Sequence, residues 1–172
     1  MKKSLISSMF FISTIVFGFS ANAQDFAFNS KPVAVNPYPE TGNKIVSEMD
    51  VNIHATRDFK RNFKNATDVK WVKHENGASV YFKNDGLKMR SSYNINGKKE
   101  YTLKYYEETK MPSELRKLVK SNYYDHNIVI VTEVNRHNHT SYLVKMENEK
   151  EYLTLKISDE EMTVFEKTNK AK

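Results

Sequence analysis

Four short runs of β-forming residues, separated by two-residue turn signals, restrict the fold of this chain more than any other feature. The runs are 69–74, 78–83, 87–93 and 98–106, and the breaks are Asn76-Gly77, Asp85-Gly86 and Asn96-Gly97. Asn-Gly and Asp-Gly supply the positive φ angles that tight hairpins need. Strands joined by so few residues can only be antiparallel neighbours, so the segment is predicted to be a four-stranded meander. A helix is predicted ahead of it. From Ser47 onward Met49, Ile53, Thr56, Phe59 and Phe63 share one helical face, while Arg57, Lys60, Arg61 and Lys64 share another. It ends near Asn65, with Ser47, Asp50 or Asn52 as rival starts.

The pattern then restarts. Pro112 suits the first turn of a second helix, in which Leu115, Leu118, Val119 and Tyr123 recur at helical spacing up to a stop near Asp125. Four more β-like runs follow at 128–135, 141–146, 152–157 and 162–167. Tyr81 and Tyr142, 61 residues apart, stand at corresponding places in the two halves. The expected fold class is therefore α+β: a tandem repeat of one helix plus a four-stranded antiparallel meander, with both helices packed on one face of the sheet. Repeat 1 covers about 47–108 and repeat 2 about 109–168. Neither unit alone buries much surface, so the two should share one sheet or core. Phe59, Phe63, Trp71, Leu115, Leu118 and Val119 are the expected contacts between helices and sheet.

Upstream of the repeats, Lys2 and Lys3 precede the apolar run 5–19, and Ser20-Ala21-Asn22-Ala23 places small residues at the −3 and −1 positions of a signal-peptidase site. Residues 1–23 are expected to be a signal peptide, because the run is too short and too rich in Ser and Thr for a membrane-spanning helix. The mature chain should be periplasmic or secreted, with no membrane anchor after cleavage. Residues 24–46 hold Pro32, Pro37, Pro39 and Gly42, and read as an extended N-terminal arm. Its alternating Phe26, Phe28, Val33 and Val35 suit a chain lying along a sheet edge.

The sequence holds 27 basic and 21 acidic residues, and removal of Lys2 and Lys3 leaves a net charge of +4. So mild and dispersed an excess, on an exported chain, excludes nucleic acid as the expected partner. With no cysteine, disulfides, thiolate catalysis and Cys-ligated zinc are excluded. No Gly-x-Ser-x-Gly, His-Glu-x-x-His or phosphate-cradling glycine loop is present. Adjacent acids such as Glu107 and Glu108 would point to opposite faces of a strand. No catalytic residue, resident metal or cofactor is therefore expected, and the chain reads as non-enzymatic. The one metal-like constellation is His137 and His139 in a turn, with His126 nearby in sequence.

The order of these elements is similar to that of the PepSY-like family with the β-lactamase-inhibitor-protein-like fold, common in exported proteins of Bacteroidetes. The resemblance rests on Phe59 and Phe63, Val69-Lys70-Trp71, Val80-Tyr81-Phe82, Asp85-Gly86, Tyr93-Asn94-Ile95-Asn96-Gly97 and Met111-Pro112. Thr132-Glu133-Val134 and Tyr142-Leu143-Val144 continue it through the second unit, so that it covers roughly residues 50–168. It implies an exported, non-enzymatic module, related to protease-associated and inhibitory segments, and offers no catalytic motif to carry over. Asp159-Glu160-Glu161 stands where the first unit has a glycine turn.

Strand alternation supplies the candidate site. With Val80, Phe82, Leu87, Met89, Tyr101 and Leu103 toward the helix, Tyr81, Lys83, Lys88, Arg90, Lys104 and Tyr106 would fall on the open face. Tyrosines among Lys and Arg match the composition of protein interfaces. The expected function is to bind or inhibit a protein or peptide partner in the periplasm through that face. The alternative is a small-molecule or metal-responsive domain using His126, His137 and His139.

Overall fold

A computed structural model describes Pro39, residues 44–159 and residues 161–171. The expected signal peptide and most of the arm lie outside the described residues. The elements are β1 (Ile45–Val46), α1 (Ile53–Asn62), β2 (Thr67–His74), β3 (Gly77–Asn84), β4 (Leu87–Asn94), β5 (Lys99–Tyr106), α2 (Ser113–Asn122), β6 (Asn127–Arg136), β7 (His139–Glu147), β8 (Glu151–Ser158) and β9 (Glu161–Asn169). All nine strands form one antiparallel sheet in sequence order. The fold is α+β, a helix and four strands twice over, with the arm's last residues adding β1 at the edge beside β2.

The first helix is shorter than its apolar spacing suggests. Ser47 caps a separate 3-10 turn, Glu48–Asp50, by accepting from the Met49 N–H, and extended Val51 then interrupts the chain. The α-helix starts at Asn52, whose Oδ1 accepts from the His54 N–H at 2.9 Å while its Nδ2 donates to the Ile95 carbonyl. Met49 is consequently 95% exposed and Ile53 lies on the surface; the buried residues are Ala55, Thr56 and Phe59. Both helices end alike, with Phe63 and Tyr123 as C-caps donating to the carbonyls of Phe59 and Val119.

Two cores occupy the same face of the sheet. Under α1, Phe59 packs edge-on to Trp71 and Phe82, joined by Val80, Met89 and Tyr93. Under α2, Leu115 and Val119 meet Val131, Val144, Met146, Leu153, Leu155 and Ile157. Leu87 touches both clusters, and Tyr106 from the first repeat belongs to the second core. Phe63 and Leu118 are half-buried rather than buried.

The turns differ between halves. Asp85 and Gly86, both at positive φ, close β3 onto β4 as expected. His137 and Asn138, also both at positive φ, do the same for β6 and β7 without a glycine. At the β2–β3 hairpin the loop is Glu75-Asn76, and Gly77 is required because a Cβ there would lie 2.0 Å from the Tyr93 carbonyl oxygen. The second hairpin is also longer: Trp71 pairs with Val80, whereas Val131 pairs with Val144. Tyr81 and Tyr142 are therefore not equivalent, and they lie on opposite faces.

Candidate functional site

Register decides which side chains share the helix-free face, because residues opposite one another across antiparallel strands point the same way. Tyr81 pairs with Arg90, Lys83 with Lys88, and Val72 with Ser79, so these residues lie away from the helices as expected. The fourth strand is reversed. Arg90 pairs with Leu103 and Lys88 with Tyr105, whereas Lys104 lies opposite Met89. The helix-free face thus takes Tyr101, Leu103 and Tyr105, and the expected placement of Lys104 and Tyr106 on it is corrected. The cause is a bulge: Ser92 pairs with Tyr101 but Tyr93 with Lys99, leaving Glu100 unpaired and inverting the alternation of everything after it.

At the centre of this face the Arg90 guanidinium sits 5.3 Å from the Tyr81 ring centroid and 6.0 Å from that of Tyr101. Its Nη2 donates to the Ser79 Oγ at 3.2 Å, and Ser79 is also 3.1 Å from His74 Nε2. The Arg90 Nε is buried and has no hydrogen-bond partner. Lys83 pairs with Asp68 at 2.7 Å along the same side. The face contains a cavity of about 570 Å³ bordered by His74, Ser79, Arg90, Ser92, Glu100 and Tyr101. Two aromatic rings around a guanidinium hold it in one orientation at low entropic cost, the arrangement of an anchoring residue at a protein interface.

This face is more deeply buried than its lack of helices predicts. Val72, Ser79, Tyr81, Ser92, Leu103, Thr132, Val134, Leu143 and Thr154 are all buried, with Val72 only 1% and Tyr81 only 6% exposed. Loss of solvent raises the Tyr105 phenol above its usual range even though Arg90 opposes the shift. Desolvation likewise draws the Lys145 ammonium below its ordinary range, against the pull of Glu166.

Lys104 and Tyr106 belong instead to a polar network between the two cores. The Glu133 carboxylate accepts from Lys104 Nζ at 2.7 Å, from Asn135 Nδ2 at 2.8 Å and from the Tyr106 hydroxyl at 3.2 Å. These side chains hold strands β5 and β6 together and are not available for docking on the other face.

The three histidines do not converge. His126, 5% exposed, sits before β6 with its Nδ1 2.8 Å from Asp125 and its Nε2 3.3 Å from Glu151. His137 and His139 lie beyond the far end of that ten-residue strand, about 30 Å away at about 3.3 Å per residue. His137 serves the turn, and His139 Nε2 meets the Ser158 hydroxyl at 2.9 Å. The shared site imagined for them is overturned, and no group of three His, Asp or Glu side chains among the described residues is placed to hold a metal ion. Nor does any described helix have the length and apolarity to cross a membrane.

The chain matches no protein-family model and no curated protein sequence. Its structure is similar to that of a BLIP-like protein from Bacteroides fragilis, at 18% identity and a TM-score of 0.57 over 67% of this chain and 84% of the other. It is also similar to a DUF2874 family protein from Bacteroides ovatus, at 16% identity and a TM-score of 0.58 over 68% and 86%. A protein from Bacteroides eggerthii described as periplasmic aligns at 11% identity with a TM-score of 0.58, over 69% and 88%. At such identities the likeness establishes the fold.

Proposed function

We propose that this protein is an exported, non-enzymatic binding module that holds an extended segment of a protein partner against the helix-free face of its sheet. The single observation that carries the reading is Arg90, stacked by Tyr81 and Tyr101 with its Nε unsatisfied. A buried donor without an acceptor is costly, so a carboxylate supplied by a partner would repair a deficit already present. Lys83 and Lys88 on the same face favour an acidic segment. The bind-or-inhibit role fits the BLIP-like fold, as does a periplasmic location, given the likeness to a protein described as periplasmic.

Affinity capture from a cell-envelope fraction tests the proposal. The mature protein should retain a protein that Arg90→Glu loses and that Arg57→Glu, on the exposed outside of α1, keeps. Each variant's melting temperature is measured alongside to separate misfolding from lost contact. An anchor of this kind is worth about 2 kcal/mol or more, about thirtyfold in affinity. Equal capture by both variants would remove the helix-free face as the binding surface.

A further inference from the structure

We propose that the free edge of β9 joins a second copy of this chain in a two-fold antiparallel pairing that runs one sheet through both molecules. β9 is the last strand of the sheet and, among the described residues, has a neighbour on one side only, β8. The opposite end of the sheet is guarded: β1 adds Ile45 and Val46 beside β2, and Asp68 and Lys70 charge the part of β2 that it leaves open. β9 is bulged at Phe165, where Leu155 pairs with Val164 and Thr154 with Glu166, yet its nine residues run from Glu161 to Asn169 as one strand. At its middle Val164 and Phe165 are 51% and 44% exposed. A long edge of unpaired backbone groups with an apolar centre is a template for another strand.

The pattern of the strand itself favours an identical partner. Leu153, Leu155 and Ile157 belong to the core under α2 and pair with Lys167, Val164 and Met162, so these three share the helix side. Asn169, opposite Glu151, joins them, while Glu161, Thr163 and Thr168, opposite Ser158, Lys156 and Tyr152, take the other side. Antiparallel self-pairing about the point between Phe165 and Glu166 sets Met162 against Asn169, Thr163 against Thr168 and Val164 against Lys167, each pair on one face. It also sets Glu161 of one copy against Lys170 of the other, and two-fold symmetry repeats every contact. Lys170 holds Glu147 of its own copy at 2.9 Å, and an ammonium with three donors can take a second carboxylate. A parallel pairing would instead oppose Glu161 to Glu161 and Lys170 to Lys170. With faces matched, the two helix-free faces look the same way and present Arg90 twice.

An edge-to-edge contact is small, so the association should be weak, with a dissociation constant in the micromolar range. Sedimentation velocity of the mature chain between about 10 µM and about 1 mM should show the passage from one chain to two. Val164→Lys should hold the mass at one chain throughout, whereas Val129→Lys, at 48% exposure on β6 inside the sheet, should leave the passage in place. Both positions are exposed, so both melting temperatures should stay near the parent's. Glu161→Lys should weaken association about fivefold or more, and combining it with Lys170→Glu should restore most of the loss. A chain that stays single at the highest concentration would overturn the proposal, as would one that doubles with Val164→Lys as readily as without it. Loss of association with Val129→Lys alone would move the contact off β9 and overturn it too. The contact uses no residue of the helix-free face around Arg90, so its failure would leave the partner reading untouched.

Discussion

Glu133 shows how a single residue can be structural where its surroundings look like a site. Burial alone would raise its pKa, but donation from Asn135 and Lys104, with the Lys104 charge and the Tyr106 hydroxyl, leaves the carboxyl below its usual range. A carboxylate depressed on folding contributes stability above its unfolded pKa and loses it as pH falls through the folded value. Glu133→Gln should therefore cost about 1 to 3 kcal/mol at neutral pH, the worth of hydrogen bonds to a charged group. The gap in melting temperature from the parent should close between about pH 5 and pH 3 as the parent's own carboxylate is protonated. Melting curves collected across that range check the sign; a gap that stays constant would show that the Glu133 charge contributes nothing.

Among the elements, turns and bulges govern what the sequence reveals. The strands were legible because Val, Ile, Tyr and Phe alternate between turn residues, and the helices because Phe59 and Phe63, or Leu115 and Val119, recur at helical spacing. Tyr81, Lys83, Lys88 and Arg90 were assigned to the correct face for the same reason. Lys104 and Tyr106 were not, since one unpaired residue at Glu100 reverses a whole strand and leaves no mark in the alternation itself. The place of Tyr101 beside Arg90 was hidden by that same residue. Glycine was a better guide, and two positions make the point testable. At Gly77 an added Cβ would meet strand backbone at 2.0 Å, whereas at Gly86 nothing lies within 4 Å and only the positive φ of 75° opposes a side chain. Gly86→Ala should cost about 1 to 2 kcal/mol. Gly77→Ala should cost about 3 kcal/mol or more, because β3 and β4 must part to admit it. Urea unfolding midpoints would compare the two, and equal losses would contradict the close approach at Gly77.

The molecule as a whole repeats one helix-plus-four-strand pattern, and its two halves cannot be separated at the level of packing. Tyr106, the last residue of β5, fills the core under α2, Leu87 from β4 touches both cores, and the Lys104–Glu133 ion pair crosses the β5–β6 boundary at 2.7 Å. Strands β5 and β6 pair continuously from Thr102↔Asn135 to Tyr106↔Val131, so melting the second repeat would bare a strand edge and buried Leu103 in the first. Both repeats should thus unfold in one cooperative transition. Leu155→Ala removes a fully buried side chain from the second core and should cost about 2 to 5 kcal/mol. If the halves are one unit, native-state hydrogen exchange of the slowest amides should accelerate by the same factor, about thirtyfold or more, in β3 and β4 as in β7 and β8. Leu155 lies four strands from β4 in the sheet, so the distant strands can respond only through global unfolding. Acceleration confined to β6 through β9 would mean that the first repeat stands alone. In that case Arg90 with Tyr81 and Tyr101 would sit on an autonomous unit, and the second repeat could be lost without disturbing them.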